Sequence, residues 1–194
     1  ISKLRILHNL ASLYVNIIPF FISHNLGKYK EIRRSLRTIE MDQIEGDYCE
    51  FGCFTGACTN HTIKTYNKIS KKKIKRVFYG FDSFEGFPIE VHSEFQSNYF
   101  KSDYNKVKKL ENKYPSQCKI VKGFFHETLN DDFLKNKINN ISIAFIDCDI
   151  AISASPVFKF IKDKMSNGSF IIVDDYFNVD LNKDSILKEF NKVF

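Results

Sequence analysis

Apolar residues follow two rhythms along this chain. From residue 28 onward, short apolar bursts alternate with stretches in which apolar positions recur every three or four residues. The bursts predict strands at 48–51, 76–81, 118–121, 142–146 and 169–173. The periodic stretches predict helices at 28–44, where Ile32, Leu36 and Ile39 share a face, and at 58–69, 103–114, 128–137, 156–165 and 184–193. Asp103 reads as the cap of its helix, with Pro115 just beyond the far end. Asn167-Gly168 reads as the stop of the helix at 156–165. Strand–helix alternation of this kind predicts an α/β fold, a doubly wound sheet of five parallel strands joined by right-handed crossovers. The near-continuous apolar run at 142–146 suits a central strand, covered on both faces.

Residues 1–45 precede the first strand and read as a helical extension. The apolar stretch at 10–22 follows Lys3 and Arg5 and mimics a secretory leader, but Ser12, Asn16 and Pro19 interrupt it and no small-residue cleavage site follows. It falls short of the roughly 20 apolar residues that span a bilayer. A packing or dimerising helix is therefore expected, and with it a homo-oligomer joined through the N-terminal helices; peripheral membrane contact is disfavoured. The chain opens on Ile1 rather than Met, which reads as a trimmed start.

Composition changes this picture little. Hydrophobic residues at 43% and charged residues at 27% fit a soluble globular chain and exclude a disordered one. The net charge of +6 lies partly in one run, Lys71-Lys72-Lys73-Ile74-Lys75-Arg76, which reads as a solvated link between helix and strand. Basic residues are not interleaved with aromatics over a wider surface, so no nucleic-acid partner is expected. The five cysteines, Cys49, Cys53, Cys58, Cys118 and Cys148, are odd in number and lie mostly in apolar stretches, as reduced thiols of a cytoplasmic protein do. No C-x-x-C pair occurs among them, which argues against zinc.

Chemistry enters at the carboxyl ends of the predicted strands, where α/β sheets bind ligands. Those ends carry Gly52, Asp82, Gly123, Asp147 and Asp174. The loop at 50–56, Glu-Phe-Gly-Cys-Phe-Thr-Gly, combines two glycines with a following helix N-terminus and suits a nucleotide-type cofactor. Asp82 lies roughly 30 residues further on, where a carboxylate can accept both protons of a ribose diol. Asp147, Asp174 and Asp175 stand on neighbouring strand ends. Three carboxylates cannot gather uncompensated, and hard oxygen donors at this density suit Mg²⁺. His126 stands beside the third strand end within reach of the pocket, His61 on the helix after the loop and His92 in a long segment that could form a lid, but an isolated histidine is more often structural or solvated.

These segments together resemble the macrocin O-methyltransferase (TylF-like) family of class I S-adenosylmethionine-dependent methyltransferases. The resemblance covers residues 28–190. It is carried by Gly46-Asp47-Tyr48-Cys49-Glu50-Phe51-Gly52, Phe81-Asp82-Ser83-Phe84-Glu85-Gly86-Phe87-Pro88, Lys122-Gly123-Phe124-Phe125-His126-Glu127-Thr128-Leu129, Ile146-Asp147-Cys148-Asp149 and Asp174-Asp175-Tyr176. The Asp-Ser-Phe-Glu-Gly run is the most specific. The resemblance implies a Rossmann-like methyltransferase domain at 46–194 that uses S-adenosyl-L-methionine, assisted by Mg²⁺, to methylate a hydroxyl of a small sugar-containing acceptor: a sugar, a sugar-containing natural product or a polysaccharide precursor. It implies that Glu50, Gly52 and Gly56 shape the methionine pocket, that Asp82 and Ser83 meet the ribose, and that Gly123 and Phe124 lie near the adenine. It implies Asp147, Asp174 and Asp175 as metal ligands, and Asp147 or Asp149 as acceptor of the hydroxyl proton.

Two stretches depart from the family pattern. Cys58 stands where a serine is usual, and Thr59 beside it is expected to supply the hydroxyl. Residues 150–154 read Ile-Ala-Ile-Ser-Ala in place of Leu-Tyr-x-Ser-Thr, which alters the wall near acceptor or cofactor. The family closes its sheet with two further strands beyond the helix matched by residues 186–190, so the domain is expected to be C-terminally truncated. Two other readings compete. Asp147-Cys148-Asp149 also matches the D-x-D of a metal-dependent glycosyltransferase. A methyltransferase-like module that binds without catalysing is the other.

Overall fold

The computed structural model describes residues 2–70, 75–88, 96–131 and 136–194. Five strands, β1 (Asp47–Phe51), β2 (Phe78–Asp82), β3 (Cys118–Lys122), β4 (Ile141–Ile146) and β5 (Met165–Val173), pair in parallel. Their order is β3-β2-β1-β4-β5. The chain thus runs outward from β1 to one edge, returns, and runs outward from β4 to the other. The switch between β1 and β4 opens a crevice at their carboxyl ends.

Helices accompany the sheet, among them α1 (Ser2–Ile17), α2 (Phe20–Met41), α3 (Ala57–Ile69), α4 (Tyr104–Lys113), α5 (Phe125–Thr128), α6 (Ala151–Ile161) and α7 (Ile186–Val193). Successive strand residues point to opposite faces. Tyr48, Phe78, Ile120, Ile143 and Phe145 therefore meet Ile32, Leu36 and Ile39 of α2, Ile63 and Tyr66 of α3, and Val107 of α4. Their neighbours Cys49, Phe51, Tyr79, Phe81, Ala144 and Ile146 meet Ala154, Val157, Phe158 and Ile161 of α6 and Ile186 of α7. Both faces are covered, so the strands read as apolar runs rather than alternating ones. Each fully buried aromatic, such as Phe158, contributes about 2–3 kcal/mol by leaving water.

Several boundaries differ from the sequence expectation. Helix α2 starts at Phe20, directly after Pro19, rather than at residue 28. Proline at the N-cap has no N–H to lose to the helix, and Gly27 is tolerated with nothing within 4 Å of its Cβ position. The helix expected at 156–165 is α6, which begins at Ala151 and keeps Pro156 inside. Burial of Ala151, Ala154, Val157 and Phe158 along one face holds that turn despite the lost N–H. Asn167-Gly168 does not end a helix: both lie within β5. Gly168, at φ +81°, lies where the register with β4 shifts between the pairs Ile141–Met165 and Ile143–Phe170. The left-handed glycine that suggested a helix cap serves a bulge. Of the helix expected at 128–137, α5 ends at Thr128, residues 129–131 are not helical, 136–137 are, and 132–135 lie outside the described residues.

Arg76 is the largest departure from a bland reading. It is 2% exposed, and its guanidinium donates to the carbonyls of Gly46 and Ile44 and to the Ser142 hydroxyl. It pins the amino ends of β1 and β4, at the opposite end of the sheet from the crevice. Residues 71–74 of the same basic run, like His92, lie outside the described residues.

Helix α1 carries Leu4, Leu7, Leu10, Leu13, Val15 and Ile17 exposed. Among the described residues, no helix is long and apolar enough to cross a membrane. All five cysteines are free thiols, and four of them are buried.

Candidate active site

A cavity of about 920 Å³ occupies the crevice. Gly52 makes it possible. The chain leaves β1 through Gly52 at φ +97°, and a Cβ there would lie 1.8 Å from the Asp147 carbonyl oxygen. Only glycine lets the loops after β1 and β4 lie this close. The loop then turns through Phe54, a non-glycine residue at φ +45°.

Asp82, the last residue of β2, fixes that turn. Its Oδ2 accepts the Phe54 N–H at 2.7 Å and its Oδ1 accepts the Phe84 N–H at 2.7 Å. Phe84 is also left-handed, at φ +61°. One carboxylate thus holds two strained turns, each strained residue costing roughly 1–3 kcal/mol. Burial pushes the Asp82 carboxyl up, against the pull of those two N–H groups. Each oxygen keeps a second lone pair for a ligand. Ser83 is turned to the loop itself: its hydroxyl donates to the Gly86 carbonyl and accepts the Glu85 N–H.

Glu50 lies on the α2 face of β1 and is fully buried. Tyr48 Oη donates to its Oε2 at 2.9 Å, while Oε1 has no partner. Burial pushes the carboxyl up to about 8, although the Tyr48 hydroxyl draws it down. A buried acid with one orphaned oxygen, lining a cavity, is an unfilled place for a donor.

The other wall is acidic. Asp147, Asp174 and Asp175 each offer an oxygen within 4.8 Å of the others. Asp149 stands beside them at φ +59°. Burial, then the charges of Asp175 and Asp147, push its carboxyl well above the usual range. Burial also raises Asp147, with Lys28 opposing. Lys28 Nζ lies 2.9 Å from Asp147 Oδ2 and 2.7 Å from Asp174 Oδ2. Burial works against its charge, yet Asp147 and Asp174 hold its pKa above the ordinary lysine value. His24, one turn earlier on α2, reaches the same Asp174 oxygen at 3.0 Å.

The cavity brings together Glu50, Gly52, Asp82, Ser83, Phe124, Asp147, Asp149, Asp174 and Asp175 of the expected set. Gly56, Thr59 and Gly123 are not in its lining. Gly56 starts α3 at φ +72° and faces Val107 and Leu110 of α4. Thr59 is fully buried with an unpartnered hydroxyl, while Cys58 lines the cavity. Gly123, at φ +138°, packs against Thr128. His24, Lys28 and Tyr29 were absent from the sequence expectation. Their signal is the four-residue spacing of His24 and Lys28 on a helix, which shows only once α2 extends back to Phe20.

The residues present fit the two groups that the fold suggests. The glycine-lined loop, the orphaned Glu50 oxygen and Asp82 suit an amino-acid nucleoside. Three carboxylate donors suit a hard divalent cation.

CalS11, a calicheamicin methyltransferase, superposes with a TM-score of 0.74 at 20% identity, covering 92% of this chain and 75% of that one. Its apo form, described as a TDP-rhamnose 3'-O-methyltransferase, gives 0.67 at 18% identity over 94% and 77%. The O-methyltransferase NovP gives 0.61 at 20% identity over 77% of this chain, which spans 64% of NovP's length. At these identities the likeness establishes a shared fold. No curated protein sequence matches. The profile of the macrocin-O-methyltransferase (TylF) family matches residues 25–193, and the chain belongs to that family.

Proposed function

We propose that this protein is an S-adenosylmethionine-dependent, Mg²⁺-assisted O-methyltransferase acting on a hydroxyl of a small sugar-containing molecule. One observation carries the reading: a single cavity is lined on one side by Glu50, Gly52 and Asp82 and on the other by Asp147, Asp149, Asp174 and Asp175. When bound, S-adenosylmethionine supplies an electrophilic methyl group on a sulfonium. A divalent ion held by Asp147, Asp174 and Asp175 would orient a substrate hydroxyl and lower its pKa.

The chain's own residues do the rest. Gly52 and the loop after it receive the methionine end, with the Glu50 Oε1 facing a donor. Asp82 offers its remaining lone pairs to the ribose hydroxyls. Phe124 and His126, whose rings stack at 5.8 Å, flank the adenine side. Asp149, raised by burial and then by its acidic neighbours, would take the proton that the acceptor hydroxyl gives up on methylation. Alignment of oxygen, methyl and sulfur is the main contribution of the protein. Ile152 and Ser153 line the cavity, while Ala151 and Ala154, which stand where the family pattern has tyrosine and threonine, lie outside its lining.

Calorimetry with S-adenosylhomocysteine tests the cofactor half. Methyl transfer to a panel of nucleotide sugars, TDP-rhamnose among them, tests the acceptor half. Binding of a UDP-sugar without any binding of S-adenosylhomocysteine would decide for a glycosyltransferase. Cofactor binding without turnover across the panel would decide for a non-catalytic module. We also propose that the exposed apolar side chains of α1 pair with a second copy. A dimer by light scattering that dissociates in Leu7→Glu/Leu10→Glu is the expected result; a monomeric wild type rejects it.

A further inference from the structure

We propose that Lys28 is the built-in cation of the acidic cluster, so that a divalent ion at Asp147, Asp174 and Asp175 binds only by displacing it. The inference rests on the metal part of the function proposed above. Lys28 Nζ hydrogen-bonds two of the three candidate ligands, at 2.9 Å to Asp147 Oδ2 and 2.7 Å to Asp174 Oδ2. Asp147 and Asp174 are also two of the three residues that each offer a carboxylate oxygen within 4.8 Å of the others, the third being Asp175. Mg²⁺ and Mn²⁺ approach carboxylate oxygens to roughly 2.1 Å and draw on the same lone pairs. An ammonium at hydrogen-bond distance from those oxygens would stand against the ion as a like charge. Ion and ammonium therefore exclude one another.

The geometry also shows how the exchange can proceed. The lysine reaches the cluster from α2, a helix outside the sheet, through a flexible four-carbon stem, so its ammonium can swing away while α2 stays docked. His24 on the same helix holds Asp174 Oδ2 at 3.0 Å and keeps that carboxylate in place during the exchange. Four acids line this wall, Asp147, Asp149, Asp174 and Asp175. Lys28 compensates part of their charge, which keeps the wall folded between turnovers. The price is weakened affinity for the ion.

Binding of Mn²⁺ to the full chain, followed by the paramagnetic resonance signal of the free ion and by calorimetry, tests this. Lys28→Met keeps the stem and removes the charge. It should bind Mn²⁺ on the order of tenfold more tightly than wild type, and Asp174→Asn should lose it. Equal or weaker binding by Lys28→Met, with Asp174→Asn still losing the ion, overturns the competition and leaves the metal site standing. No Mn²⁺ binding by wild type or Lys28→Met overturns the metal reading and this proposal with it. Should Lys28→Met fail to fold, as judged by circular dichroism, wild type answers instead. The ¹³Cε signal of Lys28, assigned with Lys28→Gln, should shift as Mg²⁺ saturates the protein, and an unmoved signal overturns the proposal.

Discussion

The Asp82 carboxylate accepts the N–H of Phe54 at 2.7 Å, so the last residue of β2 fixes a left-handed turn in the loop after β1. Its other oxygen does the same for Phe84. Asp82 is therefore a brace for the loop, and under the proposed function it would also hold a ribose. In Asp82→Asn one oxygen becomes an amide donor facing an N–H. Loss of that bond should cost about 1–3 kcal/mol of stability. Affinity for S-adenosylhomocysteine should fall about tenfold to a hundredfold. Thermal melting and calorimetry on the same variant check both. Unchanged affinity in a destabilised variant would leave Asp82 the brace alone.

Glu50 gives a pH dependence with a defined sign. Its carboxyl is pushed up to about 8 by burial, against an ordinary value of 4.5. Between those values the folded chain binds more protons at this site than the unfolded chain does. Stability from this group is therefore highest at low pH and is lost as pH rises from about 4.5 to 8. Glu50→Gln cannot titrate. It should gain on wild type across that window, by several degrees in melting temperature measured without ligand. A constant difference between the two proteins from pH 5 to pH 8 would show that Glu50 is ionised throughout.

Arg76 separates structure from site. Its guanidinium serves the carbonyls of Ile44 and Gly46 and the Ser142 hydroxyl, all at the amino ends of the strands. Arg76→Met fills much of the volume but leaves those acceptors buried. A loss of about 3 kcal/mol is expected, read as a lower urea midpoint. Binding of S-adenosylhomocysteine to the folded fraction should stay unchanged, because the crevice lies at the other end of the sheet.

The sheet was legible in the sequence because both its faces are covered. Residues such as Ile143 and Ala144 are apolar whichever layer they enter, so the run announces the strand. The acids at the strand ends were legible because Asp82, Asp147 and Asp174 interrupt or follow such runs. What escaped depends on distant partners. Lys28 meets Asp147 across 119 residues, and nothing local marks it as other than a surface lysine. Arg76 belongs to a charged run and is buried only because the carbonyls of Ile44 and Gly46 and the Ser142 hydroxyl converge on it. Gly168 has the left-handed geometry of a helix cap, and only pairing with β4 shows that it serves a bulge. Thr59 was expected at the cavity for its hydroxyl, yet α3 turns Cys58 to the lining instead.

Gly52 joins the two halves of the site, and its substitution should damage both at once. A Cβ at this position would lie 1.8 Å from the Asp147 carbonyl oxygen and 2.8 Å from the Asp147 carbonyl carbon. Those atoms are backbone and cannot rotate aside, so the loops after β1 and β4 must separate. The movement carries Asp147 away from Asp174 and opens the turn that Asp82 holds. Misplacement by about 1 Å is enough to lose about a hundredfold in a preorganised site. Gly52→Ala should therefore lose S-adenosylhomocysteine and Mn²⁺ binding together, by about that factor each. Asp174→Asn removes a ligand without moving the β1 loop, and should lose Mn²⁺ while keeping S-adenosylhomocysteine. Calorimetry with each ligand on both variants, after circular dichroism has confirmed that they fold, separates the two effects. If Gly52→Ala loses only one ligand, the two walls do not depend on this contact.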